Sequence, residues 1–301
     1  MNQPFPKIVP HLWYANQAEE AARFYAAVFP HSKILTEATI KEMPSTDTGL
    51  VTFEIWKQKF IGISAGPHFT FSPSQSFMIN FDPSQLDNAA EELEKVWHNL
   101  MKDGTVLMPL DVYPFSQKYG WIVDKFGLSW QLILTNPDGK WRPPVIPALK
   151  FTGENYGRAE EALQFYLSIF KDSKKGNVVY HSGEEEETNV LFADFMIENQ
   201  WFAAWDSKEE EMQFNESVSY LIYCDSQAEI DYYWESLSAV PESEQCGWLK
   251  DKFGISWQVF PKELEEMIAE GTPEQVYRVN QATLKMKKLN IDALQRTYQG
   301  Y

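Results

Sequence analysis

A Ser-Trp-Gln tripeptide occurs twice in the chain, at residues 129–131 and again at residues 256–258. The glutamines Gln131 and Gln258 each offer a hydrogen-bond donor and an acceptor beside an indole. An amide among aromatic side chains is one way to hold a neutral or planar organic ligand. The same tripeptide could instead be a packing device whose amide satisfies neighbouring backbone groups. The residues by themselves leave both interpretations open.

One loop that could do chemistry is missing from the sequence. There is no Gly-x-Gly-x-x-Gly loop for a nucleotide cofactor. The acidic runs at 184–187 and 208–211 are interpreted as solvated loops. The two cysteines, Cys224 and Cys246, are too few for a disulfide framework, so we expect free thiols in a reducing compartment.

The whole composition describes a soluble, acidic protein. The chain has 301 residues and a net charge of −17, which disfavours nucleic acid and anionic membranes as partners. No segment approaches the roughly 20 apolar residues that span a bilayer. We therefore expect a cytoplasmic protein whose partner is a small organic ligand, present as a monomer or a homodimer. Aromatic residues make up 15% of the chain, enough to line a pocket as well as a core.

The chain repeats itself. Residues 18–29 return at 159–170, and residues 120–131 match residues 247–258 at nine of twelve positions. The second copy is about 14 residues shorter between these motifs, around the stretch that corresponds to 101–116. A Pro- and Gly-rich segment separates the copies. The predicted organisation is copy one at 1–136, a linker at 137–144, copy two at 145–262 and a helical extension at 263–301.

Within each copy, hydrophobic periodicity predicts two successive β-α-β-β-β modules. In copy one the helices are predicted at 18–29 and 86–101, each with one apolar face, and the strands between them alternate. The fold class is therefore α+β, with four such modules in curved mixed sheets. Two short helices are predicted after residue 262, the second with Thr272 as its cap and Pro273 at its first position.

These motifs resemble those of a known family. The opening Pro-His-Leu-Trp-Tyr at 10–14, the helix at 18–29 and the closing motif at 247–258 are similar to PhnB-like proteins, also described as demethylubiquinone methyltransferase-like. That family belongs to the glyoxalase, or vicinal oxygen chelate, superfamily. The resemblance implies paired modules around a cleft, in which many members hold a divalent metal that stabilises an enolate or oxyanion.

The resemblance also points to positions for ligands. In metal-bearing relatives these fall beside Pro10, where His11 stands, near Ser76, and at Gln131. The corresponding residues of copy two are Ala148, Ser219 and Gln258. Serine, glutamine and one histidine form a weak donor set for a transition metal, so no metal or other cofactor is predicted.

The predicted function is small-molecule binding in an aromatic cleft without a clear catalytic centre, and copy one is favoured for the ligand. The predicted cleft residues are His11, Trp13, Ser76, Trp121, Gln131, Ser219 and Gln258. One alternative is a metal-dependent lyase, isomerase or dioxygenase of the glyoxalase kind, which needs His11 to face the cleft with Gln131. A second alternative is a methyltransferase, as the family label suggests.

Overall fold

A computed structural model describes residues 6–40, 48–182, 189–208 and 212–301. The chain divides into a larger unit, Pro10–Val218, and a smaller unit made of Met1–Val9 and Ser219–Tyr301. The predicted acidic loop at 184–187 and residues 209–211 of the one predicted at 208–211 lie outside the described residues.

The described residues of copy one form two helices and eight strands. Their bounds are β1 (Ile8–Tyr14), α1 (Ala18–Val28), β2 (Lys33–Ile40), β3 (Thr48–Ile55), β4 (Gln58–Ser64), β5 (Gln75–Phe81), α2 (Ala89–Leu100), β6 (Thr105–Tyr113), β7 (Ser116–Val123) and β8 (Ser129–Leu134). The α+β class predicted from the sequence is confirmed, and the predicted elements differ from these mainly at their ends.

Copy two has its elements in the same order with one strand fewer, and the helices of the extension follow it. Their bounds are β9 (Val145–Phe151), α3 (Ala159–Ile169), β10 (Ser173–Tyr180), β11 (Val190–Ile197), β12 (Gln200–Asp206), β13 (Val218–Cys224), α4 (Gln227–Leu237), β14 (Trp248–Lys250), β15 (Ser256–Pro261), α5 (Lys262–Glu270), α6 (Pro273–Thr283) and α7 (Ile291–Gln299).

The larger unit contains an eight-stranded sheet in the order β10-β11-β12-β9-β5-β8-β7-β6. Strands β5 to β8 come from copy one and β9 to β12 from copy two. The two halves join where β5 and β9 run antiparallel, with Ser76 opposite Ala148 and Met78 opposite Ile146. The sequence predicts a cleft within each copy, whereas this sheet is built from a half of each.

Helices α2 and α3 pack on one face of this sheet. The apolar stripe of α2 is buried there, and a Cβ added to Gly120 of β7 would lie 2.6 Å from the Trp97 ring of α2. Because side chains alternate along a strand, the neighbours of Gly120, Tyr119 and Trp121, point to the opposite side. We call that side the helix-free face.

Four further strands of copy one adjoin in the order β1-β4-β3-β2, and α1 packs on them. Strand β1 runs parallel to β4, with His11 opposite Ile61. In α1, residues Ala21, Ala22, Tyr25 and Val28 are buried on one side of the helix. This spacing is the amphipathic pattern on which the helix was predicted.

The smaller unit corrects one detail of the predicted modules. Its three strands lie in the order β14-β15-β13, with β13 and β15 parallel. In the described part of copy two, no strand stands between α4 and β14 to match β6. The fourth module is therefore β-α-β-β, because the shortened stretch removed the residues that would form that strand.

The extension contains three helices, α5 to α7, where two were predicted. The predicted cap is confirmed, because the Thr272 hydroxyl accepts a hydrogen bond from the Gln275 amide and Pro273 is the first helical residue. Their common core consists of four buried residues, one from each helix and one from the loop before α7: Leu264, Val279, Leu289 and Leu294.

Candidate functional site

The helix-free face has an apolar floor drawn from both copies. Buried residues of β5, β9 and β12 form one cluster, and half-buried residues of β8, β11 and β12 surround it. The buried members are Met78, Ile146, Ala148, Trp201 and Ala203, and the half-buried members are Ile133, Phe192, Met196 and Trp205. Half-buried aromatic and thioether side chains on one sheet face suit a planar apolar ligand.

A chain of hydrogen bonds crosses this face. The Tyr119 hydroxyl donates to Gln131 Oε1 at 2.7 Å, and Gln131 Nε2 donates to Ser76 Oγ at 2.8 Å. Burial, and after it the neighbouring Tyr113, raises the pKa of Tyr119, so its hydroxyl keeps its proton. Since Ser76 Oγ accepts in this chain, its own hydrogen is available to donate.

Trp121 fixes a second hydroxyl next to the first. Its Nε1 donates to Ser129 Oγ at 2.6 Å, and Ser129 stands opposite Ser76 across β5 and β8. Ser129 Oγ is therefore also an acceptor whose hydrogen can be donated elsewhere. The Trp121 ring meets the Trp205 ring edge-on at 5.9 Å between centroids. The predicted residues Ser76, Trp121 and Gln131 are thus brought together.

Lys150 is a residue of this face that the sequence reasoning missed. Its Nζ lies 4.9 Å from the centroid of the Trp121 ring and 3.7 Å from Met212 Sδ. The residue is 2% exposed, and burial lowers the pKa of its amine to about 8. A signal was available, because a lysine inside the apolar run 145–151 is unusual for a buried strand.

Arg142 is another missed residue, and it comes from the predicted linker. Its Nε and Nη2 donate to the two oxygens of Asp194 at 2.8 and 3.0 Å, and its guanidinium carbon lies 3.8 Å from the centroid of Trp201. A planar guanidinium fits both partners at once. This ion pair holds the linker against the edge of the apolar floor.

The repeated closing motif has a structural role that its tryptophan and aspartate carry. Asp124 Oδ1 accepts from the amides of Phe126 and Leu128 at 2.8 and 3.1 Å, while Oδ2 accepts from Trp130 Nε1 and the Tyr25 hydroxyl at 2.8 and 2.7 Å. Here the interpretation of the motif as a packing device applies to the tryptophan. The adjacent Gln131 points to the helix-free face.

The smaller unit repeats this arrangement. Asp251 accepts from the amides of Phe253 and Ile255 and from Trp257 Nε1 at 2.9, 3.1 and 2.8 Å. The predicted pair Gln258 and Ser219 is brought together as well, because Gln258 Nε2 donates to Ser219 Oγ at 2.9 Å. Copy two has Cys246 where copy one has Tyr119. Gln258 therefore has no counterpart of the phenol that orients the Gln131 amide.

His11 and Trp13 lie elsewhere in the larger unit. They belong to β1, on the four-stranded group, and not to the sheet that contains Gln131. His11 is 5% exposed, and burial lowers the pKa of its imidazole to about 3, so the ring is neutral at physiological pH. Trp13 Nε1 donates to the Gly66 carbonyl at 2.8 Å. The combination of His11 with Gln131 that a glyoxalase-type site requires is not formed.

The donors around Gln131 do not fit a divalent transition metal. The position beside Ser76 that matches His11 is Ala148, which leaves a hydroxyl and a neutral amide. Both are poor ligands compared with imidazole or carboxylate. Within the described ranges, no group of three or more His, Cys, Asp or Glu side chains is placed to hold a metal ion.

The sheets and helices define a class of protein. The fold is similar to that of glyoxalase I from Zea mays, with 12% identity and a TM-score of 0.53 over 87% of this chain and 97% of that one. It is also similar to a putative dioxygenase from Bacillus subtilis, with 12% identity and a TM-score of 0.51 over 93% of this chain and 96% of that one. These likenesses show the glyoxalase fold alone.

The family follows from sequence. The chain belongs to the family described as 3-demethylubiquinone-9 3-methyltransferase, whose profile matches residues 6–133 and 143–260. A PhnB protein from Bacillus cereus with the same description, marked putative, is 36% identical over 44% of this chain and 100% of that one, with a TM-score of 0.38. The predicted membership and the two tandem copies are confirmed. A search of curated proteins finds no match.

Among the described residues, no helix is both long and apolar enough to cross a membrane.

Proposed function

We propose that the protein binds a small planar organic molecule on the helix-free face of its eight-stranded sheet. The observation that carries the proposal is the directed hydrogen-bond chain from Tyr119 through Gln131 to Ser76, which ends in a hydroxyl that can donate to a ligand. Fixed polar groups next to a mostly apolar surface are typical of small-molecule sites.

The apolar floor supports the same proposal. Trp205 and Phe192 are half-buried and pack against the buried cluster that includes Trp201. A flat ligand could therefore lie against aromatic surface that is already partly withdrawn from water. Such contacts gain free energy from apolar burial and from ring geometry. A carbonyl or other acceptor on the ligand would meet the donors Ser76 and Ser129.

We propose binding without a chemical reaction, because the residues described on this face do not form a set of catalytic groups or metal ligands. The family description names a methyltransferase, and relatives of the fold are described as glyoxalase I or a dioxygenase. The chain has no Gly-x-Gly-x-x-Gly loop for a methyl donor of the usual kind, and its donors around Gln131 do not fit a transition metal. We therefore assign recognition, and no reaction step, to these residues.

The first prediction tests the aromatic part of the apolar floor with a neutral fluorescent probe, N-phenyl-1-naphthylamine. Trp205→Ala removes a half-buried ring from the floor and should weaken probe binding roughly tenfold, because loss of a ring contact costs on the order of 1.4 kcal/mol. Binding is measured by fluorescence titration of the purified full-length chain.

The matched control is Trp141→Ala, since Trp141 is 58% exposed in the linker. It should leave the dissociation constant within about twofold of the parent. No saturable binding by the parent protein, or equal losses in the two variants, would contradict the proposed function.

A further inference from the structure

We infer that the helix-free face selects uncharged planar ligands with a carbonyl oxygen, which the hydroxyls of Ser76 and Ser129 bind together, and that Tyr119 sets this selectivity through Gln131. This inference rests on the proposed function, because it names the class of ligand for the same face. It also assigns Tyr119 the role of a positioning residue.

The hydroxyl of Ser129 is fixed as a donor by the indole beside it. An indole N–H donates and cannot accept, so in the 2.6 Å bond from Trp121 Nε1 the acceptor is Ser129 Oγ. Ser129 is fully buried, and no residue in the described part of the chain accepts the hydrogen of its hydroxyl. A buried donor without an acceptor costs free energy. An acceptor oxygen on a bound molecule would remove that cost.

Ser76 supplies a second donor next to the first. Gln131 Nε2 donates to Ser76 Oγ at 2.8 Å, and the hydrogen of this buried hydroxyl likewise has no acceptor among the residues that the structure describes. Ser76 stands opposite Ser129 across β5 and β8, and neighbouring strands lie about 4.8 Å apart. Two hydroxyls at this spacing on one face can reach the same oxygen atom. A carbonyl oxygen has two lone pairs and can accept from both.

Tyr119 decides that Ser76 is a donor toward the ligand. A half-turn of the Gln131 amide would exchange its oxygen and nitrogen, and Oε1 would then accept the Ser76 hydrogen. The Tyr119 hydroxyl opposes this turn, because it donates to Oε1 at 2.7 Å. Burial raises the pKa of Tyr119, so the phenol keeps its proton, and a turned amide would leave that buried proton without its acceptor.

The surroundings of the two hydroxyls suit the ring of such a ligand. Ala148 stands opposite Ser76 across β5 and β9, and its side chain is only a methyl group. It belongs to the apolar floor together with Met78 and Trp201. A planar ring can therefore lie on apolar surface while its carbonyl oxygen meets the hydroxyls. An anionic ligand is a poorer match, because the chain carries a net charge of −17.

The first test uses the unmodified full-length protein and does not depend on any variant folding. Three compounds with a six- and a five-membered ring compete with N-phenyl-1-naphthylamine: 1-indanone has a carbonyl, indole has only an N–H donor, and indene has neither. 1-Indanone should displace the probe at a concentration at least about tenfold lower than the other two. Equal displacement, or a preference for indole, would overturn the inference and leave the proposed function standing. Failure of the probe to bind would instead remove the proposed function.

The second test removes one donor with Ser76→Ala, which keeps a small side chain. The advantage of 1-indanone over indene should fall by about threefold or more, while indene displaces the probe within about twofold of the parent value. The matched control is Ser168→Ala, which removes an exposed hydroxyl that donates to the Phe165 carbonyl at 2.7 Å in α3. It should leave the advantage unchanged. Equal losses in the two variants would overturn the role of Ser76.

The third test is Tyr119→Phe, which removes the phenol hydroxyl and keeps the ring that packs against Tyr113 and Phe115. The freed amide can turn toward Ser76, so the advantage of 1-indanone over indene should fall by about threefold or more although Ser76 is intact. The control Tyr113→Phe removes a hydroxyl that donates to the Pro109 carbonyl and should leave the advantage unchanged. A purely structural role of Tyr119 would weaken both compounds equally. That result, or an unchanged advantage, would overturn the positioning role.

Discussion

At the scale of single residues, the closing motif separates two roles that the sequence presents together. Trp130 and Asp124 hold the turn and the helix side of the sheet, whereas the next residue, Gln131, faces the other side. Strand alternation alone accounts for this division. Tyr119 then decides the orientation of the Gln131 amide, which makes this glutamine a directed donor to Ser76.

A second prediction concerns the buried Asp124. Burial raises the pKa of its carboxyl above the usual range, whereas hydrogen bonds from Trp130, Tyr25 and two backbone amides lower it. Tyr25→Phe removes the 2.7 Å bond to Oδ2 and should lower the free energy of unfolding by about 1–3 kcal/mol at pH 8. The pKa of Asp124 in the native state then rises further.

The pH dependence of that loss has a defined sign. A carboxyl whose native pKa exceeds its unfolded pKa destabilises the fold increasingly as the pH rises through the interval between the two values. The Tyr25→Phe deficit should therefore be smaller at pH 5 than at pH 8, as measured by urea denaturation. The control is Tyr113→Phe, which removes an exposed hydroxyl that donates to the Pro109 carbonyl. It should lower the free energy of unfolding by less than about 0.5 kcal/mol at both pH values. A Tyr25→Phe deficit that does not change with pH would contradict the assignment of this effect to Asp124.

At the scale of elements, the two copies have kept their helices and changed their strands. The stretch that copy two has lost corresponds to β6, the outermost strand of the eight-stranded sheet. Loss of an edge strand leaves the other pairings intact, so the fourth module is shortened without losing β13, β14 or β15. The helical extension is a separate addition with its own small core.

A third prediction tests the helix start in that extension. The Thr272 hydroxyl accepts from the Gln275 amide at 3.3 Å, and Gln275 Oε1 accepts from the Thr272 amide at 2.9 Å. Thr272→Ala should lower the free energy of unfolding by about 1 kcal/mol, measured by chemical denaturation. Thr272→Ser keeps the hydroxyl and should restore most of it; equal losses in the two variants would show that the cap does not stabilise α6.

At the scale of the whole molecule, the sheet that supplies the proposed site depends on both copies. Strands β5 and β9 lie on either side of the predicted linker, and their pairing brings Ser76 beside Ala148. A histidine there would have offered a metal ligand, but the copy that contributes this strand carries alanine. The pairing of β5 with β9 therefore leaves Gln131 without a histidine beside it.

A fourth prediction follows from the net charge of −17. Repulsion among like charges destabilises a compact state, and salt shortens its range to about 8–10 Å near physiological ionic strength. The melting temperature should rise when NaCl is increased from about 20 to about 500 mM. A neutral osmolyte at equal osmolarity controls for exclusion effects, and a melting temperature that falls with salt would indicate that ion pairs outweigh the repulsion.

The sequence by itself determined the α+β class, the tandem copies, the family and most element positions, because local periodicity and internal repetition are written in the order of residues. It also singled out Ser76, Trp121 and Gln131. What the tertiary structure decided is which strands meet: β5 pairs with β9, so Lys150 of copy two joins the residues of copy one and His11 does not. Pairing between distant strands depends on contacts across the sheet, and no local pattern in one copy specifies its neighbour from the other.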